Sequence, residues 1–206
     1  MGNSHTSQLP SILEKIFAAG QPDKTAAFTL APGNMYLIDR MNNNENLTLL
    51  KQKNWTHLVL QALKYSSSMS NNYATTGAEY FINQSNDIGA VPVLYPEHPR
   101  EGNTWEAQYL FELHSYVAAK TSACVAPTGF IWEEVMVRNA VDLYANDGNH
   151  ASASGYFLTS LIFYQIITGE AADTLPFIDA VGVDVTTQEV MRDVVSDILG
   201  IYEPCL

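Results

Sequence analysis

Basic side chains are scarce in this sequence: ten lysines and arginines stand against 22 aspartates and glutamates, a formal net charge of −12. Such a surface repels the phosphates of nucleic acid and of anionic membranes, so neither is expected as a partner. Cysteine is scarcer still. Cys124 lies in an apolar run and Cys205 one residue from the end. Their spacing is that of neither a thiolate metal site nor a disulfide framework, so a buried thiol and a tail thiol are expected. No run of about 18 apolar residues occurs, which excludes a membrane-spanning helix. There is no internal repeat, low-complexity tract or evident linker. With 47% apolar residues in 206, the expectation is one globular domain over 1–206 with a sizeable core.

What is present reads as alternating strands and helices. Leu9, Ile12, Leu13, Ile16 and Phe17 follow helical spacing and predict a helix ending near Gly20. Lys24 to Leu30 reads as a short strand closed by the turn Ala31-Pro32-Gly33-Asn34. Thr56 to Gln61, Ala90 to Tyr95 and Ala123 to Ala126 are apolar runs of the kind buried on both faces of a parallel sheet. Helical stretches around 73–88 and 104–120 separate them. Further helices begin near Thr128 and Ser152, and a last one carries Met191, Val194, Val195, Ile198 and Tyr202. Residues 170–206 form a loop-like stretch and that last helix, expected to be loosely attached. The pattern is that of crossover units: an α/β fold with a parallel sheet and helices on both faces.

Two peptides carry the chemistry. Gly2-Asn3-Ser4-His5-Thr6 places a serine on a glycine-led turn before a helix, and Asp147-Gly148-Asn149-His150 places a carboxylate three residues before a histidine. A hydroxyl is a poor nucleophile at neutral pH. It needs an imidazole to take its proton and a carboxylate to hold that imidazole in the right tautomer. Taken singly, Ser4 reads as an N-cap and the Asp147/His150 pair as solvated loop residues; together they form the inventory of a serine hydrolase.

The first peptide resembles the opening block of the SGNH hydrolases, the superfamily of the GDSL esterases and lipases, and the second resembles its closing Asp-x-x-His block. The likeness extends over Val125 to Phe130 and Leu143 to Tyr156, and covers the chain to about Glu170. It implies a flavodoxin-like three-layer α/β/α sandwich. It implies Ser4 as nucleophile, His150 as general base and Asp147 as the residue orienting His150. The oxyanion hole would draw on the backbone N–H groups of Ser4 and Gly33. The family's Gly-x-Asn-Asp block is absent. Leu60-Gln61 stands in its place, as in a subgroup resembling sialate O-acetylesterases, and makes Gln61 the candidate third donor. The alternative for Gln61 is a buried amide at a strand end pairing with a neighbouring loop. His5 and Asn34 are candidate substrate contacts. One departure concerns the apolar strand that precedes the nucleophile turn in the family: here only Met1 precedes Gly2, and the expectation is a truncated first strand of which Met1 is the last residue.

The implied activity is hydrolysis of small O-acyl esters, among them acetylated carbohydrate, through an acyl-enzyme and without a cofactor. A metal site built on Asp142, Asp147 and His150 is disfavoured because no second histidine has ligand spacing to them. A non-catalytic carbohydrate- or ligand-binding module derived from such a hydrolase is the alternative. The expected partner is a small-molecule acyl ester; oligomeric state is left open. The address would be cytoplasmic for a complete chain and exported or periplasmic if a leading segment is missing.

Overall fold

The computed structural model describes residues 1–61, 73–139 and 141–202. Strands and helices alternate from residue 57 to residue 138, while the segments before and after are helical with no strand among the described residues. A single 3₁₀ turn at Ser4–Thr6 leads into α1 (Leu9–Gly20), then α2 (Leu37–Arg40), α3 (Asn44–Gln52), β1 (His57–Leu60), α4 (Thr76–Asp87), β2 (Val91–Leu94), α5 (Glu106–Thr121), β3 (Cys124–Val125), α6 (Thr128–Arg138), α7 (Ala153–Thr168) and α8 (Val185–Leu199). The three strands run parallel in the order β1-β2-β3. Leu60 lies opposite Leu94, and Leu94 opposite Val125. Pro92 has no N–H to donate, and pairing between β2 and β3 starts only opposite Val93.

The two-residue period of the strands sorts the core into two layers. Leu58, Leu60 and Leu94 join Leu37, Leu50, Phe81, Ile82 and Val117 on one face, packed by α2 to α5. Val93 and Tyr95, with Val59 and Val91 against them, join Ile16, Trp132, Phe157, Leu161, Phe163 and Val194 on the other, packed by α1, α6, α7 and α8. This is the three-layer α/β/α arrangement. Helix α7 is buried on nearly every side, which places it in the middle of its layer.

Several expectations are corrected. Lys24 to Leu30 is not a strand: among the described residues it forms no ladder, and it is mostly exposed, with Phe28 half-buried and edge-on to Phe17 at 5.8 Å. Its composition suits a strand, but among the described residues no backbone pairs with it to complete a ladder. Met1 instead takes the place next to β1, its N–H donating to Val59 O at 2.5 Å and its carbonyl accepting from Gln61 N at 2.9 Å. A groove of about 580 Å³ continues from Met1 between α1, residues 24–31 and β1, lined by Leu13, Phe17, Phe28, Trp55 and Ile167.

The segment before α8 is not loose. The fully buried Gln188 side chain binds Ile178 on both its N–H and carbonyl and also the Val183 carbonyl, and Arg192 donates to the Leu175 carbonyl. His114, a polar side chain on α5, is completely buried. Cys124 is disulfide-bonded rather than a free thiol, since separation along a chain says nothing about approach in space; Cys205 lies outside the described residues.

Candidate functional site

The Gly2–Thr6 turn is tight because its own side chains close it. Asn3 Oδ1 accepts from His5 N at 3.0 Å, and Asn3 O accepts from Thr6 N and Thr6 Oγ1. Gly2 is required here: a Cβ would stand 2.6 Å from Thr6 Cγ2 and 2.7 Å from Gln61 Oε1. The turn presents the Ser4 hydroxyl beyond the carboxyl end of β1, where loops converge in parallel sheets.

The second loop is a closed bend between α6 and α7. Tyr144 and Ala151 pair as an antiparallel bridge, and the bend is tied by Ala145 N to His150 O and by Ser152 N to Leu143 O. Gly148 turns the chain at φ +63°, a conformation costly for other residues. Ser152 caps α7, its Oγ accepting from Gly155 N at 3.2 Å. Asp147 Oδ1 accepts from the N–H groups of Asn149 and His150, at 3.0 and 2.9 Å. That leaves Oδ2 for His150 Nδ1 at 2.6 Å. These three hydrogen bonds, foremost that from the His150 ring, hold the Asp147 carboxyl well below the usual carboxylate range.

The fold brings the two loops together although they are 146 residues apart: His150 Nε2 lies 2.8 Å from Ser4 Oγ. Tyr156, on the first turn of α7, locks them in place. Its hydroxyl donates to Ser4 O at 3.0 Å and lies 3.2 Å from Ser7 Oγ. The sequence held no signal for this role beyond the residue's place in the closing block. Gly155 lets α7 approach so closely, since a Cβ would stand 2.3 Å from Leu143 O.

A buried aromatic and acidic wall backs the pair. The His5 ring stacks on His150, with centroids 4.8 Å apart and planes at 18°, and stands edge-on to His98. His98 stacks on Trp132 at 3.7 Å, and its Nε2 lies 2.9 Å from Asn149 O. Glu97 lies 3.8 Å from His5 Nε2. Glu97 and His98, which follow β2 on a loop, are both buried.

The remaining candidates are placed as follows. Gln61 is buried; its Nε2 donates to Glu97 Oε2 at 2.6 Å and its Oε1 accepts from Asn3 N at 2.7 Å. Those are the contacts of a strand-end amide pairing with a loop, and among the described residues they leave one amide hydrogen over. Gly33 has φ +79° in an exposed turn, and Asn34 beside it is exposed. His5 is buried, so its ring bears on His150 and not on solvent. Among the described residues, no group of three or more His, Cys, Asp or Glu is arranged to hold a metal ion, and no helix is long and apolar enough to cross a membrane.

No protein-family model matches this sequence, and no curated protein matches it. Solved structures do. One described as a "putative SGNH hydrolase from Slackia heliotrinireducens" superimposes with a TM-score of 0.62 at 22% identity, over 80% of this chain and 94% of the other. A DUF4886 family protein from Bacteroides uniformis superimposes with a TM-score of 0.70 at 11% identity, over 97% and 93%. At these identities the likeness is one of fold.

Proposed function

We propose that the chain acts, as a single domain, as an SGNH-type serine esterase that hydrolyses small O-acyl esters through an acyl-enzyme. The observation that carries this reading is the unbroken hydrogen-bond chain Ser4 Oγ to His150 Nε2 at 2.8 Å and His150 Nδ1 to Asp147 Oδ2 at 2.6 Å. In the reaction, Ser4 Oγ attacks the ester carbonyl carbon as His150 Nε2 takes its proton. Asp147 keeps the other ring proton on Nδ1 and stabilises the imidazolium. The carbonyl oxygen becomes an oxyanion facing the N–H groups of Ser4 and Gly33, with the remaining amide hydrogen of Gln61 as third donor. Collapse expels the alcohol, which receives the proton from His150. Water, deprotonated by the same imidazole, then attacks the acyl-enzyme, and the acid leaves as Ser4 recovers its proton.

No cofactor enters these steps. The substrate class we favour is an acetylated carbohydrate. Short acyl groups suit the likeness to sialate O-acetylesterases, and the exposed rings of Tyr36 and Tyr73, 5.7 Å apart just past the Gly33–Asn34 turn, offer faces on which a sugar can stack. Asn34 supplies an exposed amide to the same substrate.

A fluorophosphonate probe tests the reading, because it labels a serine only when a base activates it. Labelling of the protein that vanishes in Ser4→Ala and His150→Ala supports the esterase. A folded protein that takes up no label is the outcome expected of a non-catalytic ligand-binding module, and it would overturn the proposal.

A further inference from the structure

Arg40 ends the short helix α2 and is completely buried, yet among the described residues no carboxylate pairs with it. Its partners are main-chain carbonyls and one amide. Nη2 donates to Gly2 O and to Gly33 O, each at 2.5 Å; Nη1 donates to Pro32 O at 2.8 Å and to Asn46 Oδ1. A buried guanidinium spent on four neutral acceptors is costly to desolvate and gains no opposite charge in return. The carbonyls it gathers come from the two turns that the esterase reading uses, one leading to Ser4 and one carrying Gly33.

Peptide planarity converts that grip into a direction. In a trans peptide the C=O and the following N–H point opposite ways, and no described peptide is cis. With the Pro32 carbonyl turned to Arg40, the Gly33 N–H points away from it. With the Gly33 carbonyl turned there too, so does the Asn34 N–H. Two successive carbonyls reach one side because Gly33 adopts φ +79°. Successive N–H groups exposed on the opposite side form a small anion-binding concavity, and neither has an acceptor among the described residues. The shared Nη2 also keeps the Gly2 and Gly33 carbonyl oxygens within about twice a hydrogen-bond length of each other, so this concavity is fastened to the nucleophile turn.

We propose that Arg40 is a positioning residue for the esterase reaction: its guanidinium clamps residues 32–34 against the Gly2–Ser4 turn and so holds the backbone N–H groups of Gly33 and Asn34, together with that of Ser4, as oxyanion donors. Lysine cannot replace it, because one ammonium lacks the planar two-nitrogen fork that reaches carbonyls on both turns. The inference rests on the esterase reading and deepens it.

The test is turnover of p-nitrophenyl acetate in Arg40→Lys, with each preparation titrated by fluorophosphonate so that kcat is counted per active site. A misplaced donor set lowers kcat per titrated site by roughly 10-fold or more. KM should stay within a factor of about 2, because ground-state binding does not use the oxyanion donors. The pH midpoint of kcat should not move, since the Ser4, His150 and Asp147 contacts are untouched. A merely structural role would lower the number of titratable sites and leave kcat per site unchanged, and that result overturns the inference while leaving the esterase reading intact. If the wild-type protein itself neither labels nor hydrolyses, the esterase reading has failed first. Should Arg40→Lys not fold, Asn46→Ala decides: it removes one acceptor from the guanidinium and should lower kcat per site by a few-fold in the same pattern. An unchanged value there rejects the clamp.

Discussion

Replacing Asp147 with asparagine separates the orientation of His150 from the architecture of its loop. Asp147 Oδ1 accepts two backbone N–H groups, from Asn149 and His150. An asparagine keeps that oxygen, so the bend at 147–150 should survive. What changes is the atom facing His150 Nδ1, now 2.6 Å from Oδ2. An amide nitrogen placed there is a donor, and it pairs with Nδ1 only when Nδ1 carries no proton. The ring proton then moves to Nε2, 2.8 Å from Ser4 Oγ, where it would block the proton transfer on which the proposed esterase reaction depends. Wrong-tautomer substitutions of this kind cost about 10⁴ in kcat. Asp147→Asn is therefore expected to lose p-nitrophenyl acetate turnover by about that factor, with fluorophosphonate labelling slowed in parallel. Its melting temperature at pH 7 should fall slightly, because asparagine keeps the oxygen that accepts the two N–H groups but gives up the charge-assisted bond to His150. The carboxyl is held below its ordinary range, so whatever stabilisation it provides is present at all pH values above about 4 and is lost only as pH falls further. Near-wild-type turnover in a folded Asp147→Asn protein would refute the assignment, since the tautomer would then not matter.

Two further outcomes follow from packing. Burial pushes the His114 imidazole down to about 4, while its Nδ1 lies 2.7 Å from Leu110 O. An unfolded chain takes up that proton near pH 6.5 and the folded one does not, so the stability tied to a neutral His114 is complete above about 6.5 and lost as pH falls toward 4, by about 3 kcal/mol. Urea unfolding at pH 7 and pH 4 should show that loss in the wild type and a clearly smaller one in His114→Leu; equal pH dependence in the two proteins contradicts it. Gly155→Ala would put a methyl 2.3 Å from Leu143 O and 2.6 Å from the buried Trp132 ring. We expect about 1–3 kcal/mol of destabilisation and weaker fluorophosphonate labelling, as α7 shifts Tyr156 and the His150 bend. An unchanged melting temperature would show that the close approach is not needed.

Much of the architecture was legible because it is written in short-range periodicity. The helical stripe Leu9, Ile12, Leu13, Ile16 is buried as its spacing requires, and the apolar runs that became β1 and β2 face two layers. Lys24 to Leu30 failed because strand composition does not supply a neighbouring strand. The short helices α2 and α3 went unread: with four and nine residues, they hold too few turns for a period to show. His114 went unread as a core residue because a single polar side chain on a helix gives no sign of what will cover it.

At the candidate site, the chain order and residue types of Ser4, Asp147 and His150 were visible in two peptides; the bend that Asp147 closes onto N–H groups two and three residues away was not read there, although it is local. The sequence thus determined which groups exist and which short turns carry them, because those depend on neighbours along the chain. Tertiary structure alone decided that Ser4 meets His150 across 146 residues, that Tyr156 bolts them together, that Glu97 takes the Gln61 amide, that His5 stacks beneath the imidazole and that Arg40 gathers the carbonyls of two turns. Each of those pairings is a choice among many distant partners of similar chemistry. It is settled by how the layers pack, which no local pattern encodes.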